Sequence, residues 1–206
     1  DAGFGSGSRV YEKTGQLLGM TPASYRRGGA GVAIRYTTLT TPLGHLLVAA
    51  SERGICAILI GDNQSAVLTQ LRDEFPGATV TRVDDGRDEW LAAMVAQVNA
   101  QLGLESTTRQ PPPLDIRATA FQWRVWQALQ HIPVGQTRSY SAIADAIGAP
   151  RSVRAVASAC ARNRLAIVVP CHRVIRSDGT LGGYRWGVQR KRRLLAHEST
   201  LAPPQG

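Results

Sequence analysis

The residue types best suited to chemistry meet at one place. Val168-Val169-Pro170-Cys171-His172-Arg173-Val174 sets a thiol beside an imidazole, in one of the most basic parts of the chain. A thiolate is a nucleophile and a neighbouring histidine can take its proton, so the pair reads as a nucleophile with its base. In an extended segment, however, adjacent side chains point to opposite faces. The two can cooperate only if the chain bends, and Pro170 makes such a bend plausible. The thiol also needs a pKa below the ~8.5 of free cysteine, which His172 and the surrounding positive charge would supply.

A third group can join them. Residues Gly187 to Glu198 read as a helix with Val188, Leu194 and Leu195 on its inner face. Glu198 falls four residues after Leu194 and shares that face. A carboxylate there is costly without a partner. Two partners fit: His172, giving a Cys-His-Glu relay, or a basic residue between Arg190 and Arg193. Spacing alone leaves both open. The other cysteines read as core, Cys56 within a β-branched run and Cys160 on an apolar helix face. Three cysteines without CxxC spacing argue against a disulfide framework and a cysteine-rich zinc site, and suit a reducing compartment.

These groups need elements to position them. Ile34–Thr38, Leu46–Ala50 and Ile55–Ile60 are short apolar runs separated by turn residues, as in an antiparallel meander. Trp90, Met94, Val98 and Leu102 mark one helix, and Phe121, Val125 and Leu129 another. After the break at Pro133-Val134-Gly135, Ser141 to Ile147 and Arg151 to Arg162 are two short helices joined by Gly148-Ala149-Pro150, a helix-turn-helix signature. In the second, Val153, Val156 and Cys160 share one face, while Arg151, Arg154, Ser158 and Arg162 lie on another. With small Ala155 beside them, that second face suits close approach to a DNA backbone or is simply a charged surface.

Charge favours the first option. Net charge is +9, yet residues 1–114 carry 10 Lys+Arg against 11 Asp+Glu, and residues 115–200 carry 14 against 4. The whole excess lies in the second part, which points to a polyanion such as nucleic acid. No apolar run approaches the ~20 residues of a membrane span, so the chain reads as soluble with no membrane partner. It starts at Asp1 without a signal-peptide pattern, as a fragment or processed product would.

Pro170-Cys171-His172-Arg173-Val174 resembles the active-site signature of the O6-alkylguanine-DNA alkyltransferases, or methylated-DNA–protein-cysteine methyltransferases. Arg154-Ala155-Val156, Asn163 and Gly182-Gly183-Tyr184-Arg185-Trp186-Gly187 match the family's flanking motifs in order and spacing, over roughly residues 34–198. Residues 1–27, with Gly19-Met20-Thr21-Pro22 and Tyr25-Arg26, resemble the end of an AraC-type helix-turn-helix domain. Together these imply the C-terminal part of a bifunctional adaptive-response protein.

The resemblance implies an α+β chain in four parts. These are an AraC-like remnant and linker (1–31), a small antiparallel sheet with helix resembling ribonuclease H (32–114), a mostly helical winged-helix/helix-turn-helix domain (115–200) and a tail (201–206). It implies irreversible, single-turnover transfer of a methyl group from O6 of guanine, or O4 of thymine, to Cys171. His172 would be the base, oriented by Glu198 through a water-bridged network, and Asn163 would hold the active-site turn. Tyr140 would contact the base and its phosphate. Arg154 would fill the gap left by the extruded base, with Arg151, Ala155, Ala157 and Ser158 along the minor groove. Tyr184, Arg185 and Trp186 would wall the pocket. No metal or other cofactor is implied in this chain, although a longer parent would carry a zinc site. The implied partner is alkylated double-stranded DNA bound by a monomer in the bacterial cytoplasm, at the nucleoid.

Three other functions compete. A cysteine hydrolase or amidotransferase would use the same three groups but leaves the helix-turn-helix unexplained. An alkyltransferase-like lesion sensor would lack the acceptor cysteine, which is present here. Transcriptional regulation fits residues 1–27 and belongs to a longer parent chain.

Overall fold

The computed structural model describes residues 30–83, 87–102, 113–116 and 118–201. The AraC-like stretch, Gly28 and Gly29 of its linker and residues 202–206 of the tail lie outside the described residues. The three apolar runs form the expected meander: β1 (Ala33–Thr41), β2 (Gly44–Ala50) and β3 (Ile55–Gly61) pair antiparallel, with Tyr36 opposite Ala49 and Val48 opposite Ile58. A fourth strand, β4 (Thr79–Arg82), makes the sheet mixed. It pairs parallel to β1, giving the order β3-β2-β1-β4. The helix α1 (Gln64–Glu74) makes this crossover. Asn63 caps it by accepting from the Ala66 N–H, and Val67 and Leu71 are its buried residues. The helix α2 (Glu89–Gln101) starts at the Asp88 cap and buries Leu91, Met94 and Val98.

All seven residues of β3 are buried, although it is an edge strand. Its free backbone groups would be costly there. The second half of the chain satisfies them: Ile55 exchanges hydrogen bonds with Pro113 and Asp115, and Ile58 with Arg164 and Ala166, at 2.8–3.1 Å. The first half of the chain thereby holds the segment that leads to Cys171.

The helix α3 (Ala120–Gln130) opens on a capping box between Thr119 and Gln122. It buries Val125, Trp126 and Leu129, whereas Phe121 is only half-buried. The Trp126 indole donates to the Ala159 carbonyl (3.0 Å), locking α3 against the helix-turn-helix. That motif consists of α4 (Tyr140–Ala146), the turn at Gly148, a single 3-10 turn at Pro150–Ser152 and α5 (Val153–Ala161). Val156, Ala159 and Cys160 are its inward residues, and Val153 is half-buried. Short parallel strands β5 (Arg138–Ser139) and β6 (Val174–Ile175) tie the motif to the segment after Cys171.

The last helix, α6 (Val188–Leu201), buries Leu194 and Glu198 as expected but not Val188, which is 39% exposed. Val188 is the first residue of the helix. Lys191 is buried instead. Among the described residues no helix is long and apolar enough to cross a membrane.

Candidate active site

Two tight turns bring the site together. Ile167 has φ 74°, rare and strained for a β-branched residue, and the Val168 N–H reaches back to the Ala166 carbonyl (2.8 Å). Pro170, at φ −80° and ψ 58°, bends the chain so that the Cys171 N–H donates to the Val169 carbonyl (2.8 Å). This is inverse γ-turn geometry. Cys171, His172 and Arg173 then form one 3-10 turn. The extended arrangement that would have separated thiol from imidazole is therefore avoided.

Asn163 holds these turns from within. It is fully buried, accepts from the Leu165 N–H (2.9 Å), and donates to the Leu165 (3.3 Å) and Val169 (2.8 Å) carbonyls. Its amide also donates to the Cys171 sulfur at 3.2 Å.

His172 Nε2 lies 2.8 Å from Glu198 Oε1, both groups being buried. The alternative partner for Glu198 on its own helix is not taken, since Arg190 pairs with Asp62 and Arg192 with Gln189. Glu198 has a second partner next to His172. Arg173 Nε donates to both carboxylate oxygens (3.1 and 2.9 Å) and its Nη2 to Oε1 (2.7 Å), while Nη1 caps the Ile132 carbonyl (2.6 Å). Burial alone would raise the Glu198 carboxyl. Hydrogen bonds from His172 and Arg173 outweigh burial and hold it at about 2. An ionised Glu198 fixes the imidazole proton on Nε2. Nδ1, buried and without a hydrogen bond to any described residue, then carries the lone pair.

The expected lowering of the Cys171 thiol does not occur. Burial pushes it up to about 11, and the Asn163 hydrogen bond and Lys191 offset this only in part. Burial also lowers His172, against the pull of Glu198. The resting pair is therefore thiol and neutral imidazole, a nucleophile that needs its proton removed. Cys56 and Cys160 are pushed up further, again by burial.

Cys171 lies on the wall of a cavity of about 260 Å³ that Tyr140, Ala157, Cys160, Tyr184 and Arg185 also line. Burial raises the Tyr140 phenol to about 12, so at neutral pH it is a hydrogen-bond donor. Gly182, at φ 66°, passes so close that a Cβ there would lie 3.1 Å from the Tyr140 hydroxyl. Trp186 does not line this cavity. It is buried behind it, edge-on to Tyr184 with ring centroids 5.2 Å apart. Lys191, fully buried, donates to the Val174 carbonyl (2.5 Å) and to the Leu181 and Gly183 carbonyls, pinning the loop between β6 and α6. On α5 and the turn before it, Arg151, Arg154, Ala155 and Ser158 are exposed beside half-buried Ala157.

Residues 34–107 match the model of the ribonuclease-like domain of 6-O-methylguanine DNA methyltransferase, and residues 120–200 match that of its DNA-binding domain. The chain belongs to this family. Among its relatives is the bifunctional transcriptional activator/DNA repair enzyme Ada of Escherichia coli K12, 50% identical over 199 residues. The match covers 97% of this chain and 55% of that one, so the chain spans about half the length of this relative. The methylated-DNA–protein-cysteine methyltransferase of Mycobacterium bovis is 42% identical over 174 residues, covering 82% of this chain and 95% of the relative. The Mycobacterium tuberculosis OGT solved in complex with DNA has a TM-score of 0.64 and 38% identity, over 84% of this chain and 96% of that one.

Three groups at the site were not singled out in the sequence. Arg173 reads as one more basic residue, although its place beside His172 could have flagged it as a partner for Glu198. Lys191 is the one lysine among the basic residues of 115–200, and a lysine three residues before Leu194 on the apolar face was a usable hint. Glu74, which pairs with Arg164 and Arg185, comes from the far half of the chain.

Proposed function

We propose that this chain repairs DNA by moving the methyl group itself, from O6 of guanine or O4 of thymine, onto Cys171. The observation that carries the reading is a buried thiol on the wall of a cavity, next to an imidazole whose proton is fixed by a carboxylate, under a helix with an exposed arginine face. The target oxygen lies inside the duplex, so the base must leave the stack to reach that cavity. Arg154 would occupy the vacated place, and Arg151, Ala155, Ala157 and Ser158 would run along the minor groove.

In the reaction His172 Nδ1 takes the thiol proton through one water. The sulfur electron pair attacks the methyl carbon in line, an S–C bond forms and the C–O bond breaks. The electron pair of the broken bond stays on the base, which takes a proton from water as the His172 imidazolium gives the thiol proton back to water. Tyr140 donates a hydrogen bond to the base as that charge shifts. Asn163 keeps the sulfur in place, and Tyr184 and Arg185 hold the base. The displacement needs no cofactor. Its product is a thioether, which water does not cleave, so each molecule acts once and one monomer suffices. In a longer chain of the Ada kind, the same protein would also regulate transcription.

A duplex carrying one O6-methylguanine, titrated against the protein, tests this. Repair should stop at one lesion per protein molecule. Continued turnover, or methanol released by hydrolysis, would overturn it.

A further inference from the structure

Glu74 is the last residue of α1, yet its carboxylate acts at the other half of the chain. Oε2 lies 2.5 Å from Arg164 Nε, and Oε1 pairs with Arg185 Nη2. Each arginine adjoins a group of the site. Arg164 follows Asn163, which holds the Cys171 sulfur, and Arg185 follows Tyr184 on the cavity wall. A second, polar cavity of about 470 Å³ lies on the other side, lined by Glu74, Gln122, Arg162, Arg164 and Arg185. The two cavities share Ala161 and Arg185. Arg185 is thus a partition between them, and it is long and flexible, with its guanidinium resting 6.0 Å from the Trp186 ring.

We propose that Glu74 is a positioning residue: by clamping Arg185 as the partition between the two cavities, it sets the largest O6 substituent the lesion pocket accepts. The carboxylate does two things there. It fixes one arginine in place, and it screens two guanidinium groups from each other. Burial and the nearness of Arg185 lower Arg164 to about 10, which reports that crowding. Without the carboxylate, Arg185 is both released and repelled from Arg164. The cavities then join, and room opens beside Cys171 for a group wider than methyl.

This rests on the alkyl-transfer reading above, and one experiment separates the two. Transfer rates from O6-methylguanine and O6-benzylguanine, in the same duplex, are compared for the parent, Glu74→Gln, Arg185→Ala and the double variant, with thermal unfolding of each. Overpacking of the size a benzyl group imposes slows a reaction about tenfold or more. The benzyl-to-methyl ratio should therefore rise about tenfold in Glu74→Gln and in Arg185→Ala, with no further gain in the double variant. A ratio unchanged in both single variants would overturn the proposal while leaving methyl transfer by the parent intact. No transfer by the parent would overturn the functional reading itself.

Discussion

Replacing Glu198 by glutamine should damage stability and chemistry together, by amounts that the geometry sets. The carboxylate is 5% exposed and accepts from His172 and three times from Arg173. Glutamine keeps the shape but removes the charge, leaving the buried Arg173 guanidinium without its counter-ion. Breaking a buried pair from one side costs about 3–5 kcal/mol. The depressed carboxyl points the same way, because a group held at about 2 instead of its ordinary 4.5 contributes about 3 kcal/mol. For a chain of this size, that lowers the melting temperature by roughly 10 °C. The sign with pH follows from the depressed value. The contribution is fully present above 4.5 and is lost as pH falls towards 2, so the gap between parent and variant should narrow steadily across that range. On the chemical side, glutamine cannot stabilise the imidazolium that forms when His172 takes the thiol proton, and single-turnover transfer at neutral pH should fall about 100-fold. Thermal unfolding as a function of pH, with quenched transfer from a labelled duplex, measures both. A variant that melts within about 2 °C of the parent at neutral pH, or that transfers at the parent's rate, would refute this account of Glu198.

Other outcomes follow from the same geometry. Asn163→Ala removes four buried hydrogen bonds, including the one to the thiol. At about 1 kcal/mol each, it should lose roughly 2–4 kcal/mol of stability, and ultraviolet titration should find the Cys171 thiol higher still. In the folded parent, iodoacetamide at neutral pH should label Cys171 far more slowly than free cysteine, because the thiol is 3% exposed and raised to about 11. Rapid labelling would mean that the resting group is already a thiolate. Arg154→Ala should slow repair in duplex DNA far more than reaction with a free modified guanine, since only the duplex requires unstacking, a cost of a few kcal/mol. Equal losses on both would place Arg154 in the chemistry or the fold.

The meander and the helix-turn-helix were legible because each rests on local pattern, β-branched runs between turns and Gly148 between two short helices. The carboxylate of Glu198 on an apolar face was legible too, but its partner came only from the family resemblance. The helix α1 and strand β4 were not. The first buries only Val67 and Leu71, and three of the four residues of Thr79–Arg82 are exposed, so neither carries a strong period. Charge misled in the second half. Arginines that read as one basic excess divide into exposed ones on α5 and at its two ends, and buried or half-buried ones that serve the site, Arg173 and Arg164. The direction of the Cys171 shift was also missed, because sequence shows the positive charge nearby but not the burial that outweighs it. Residue by residue, the sequence could name Cys171, His172, Asn163 and Glu198, but not Arg173 and Lys191 beside them, nor that β3 and Glu74 of the other half hold the site.

The most direct test is to find where the methyl group goes. Two thiols, Cys160 and Cys171, line the same cavity, and Cys56 is buried in the sheet. Only Cys171 has the Asn163 hydrogen bond and the His172–Glu198 pair in the same turn. After reaction with a duplex containing isotopically labelled O6-methylguanine, peptide mass analysis should place one methyl group on Cys171 and none on Cys56 or Cys160. Label chiefly on Cys160 or Cys56, or protein left unmodified while the lesion disappears, would contradict the account.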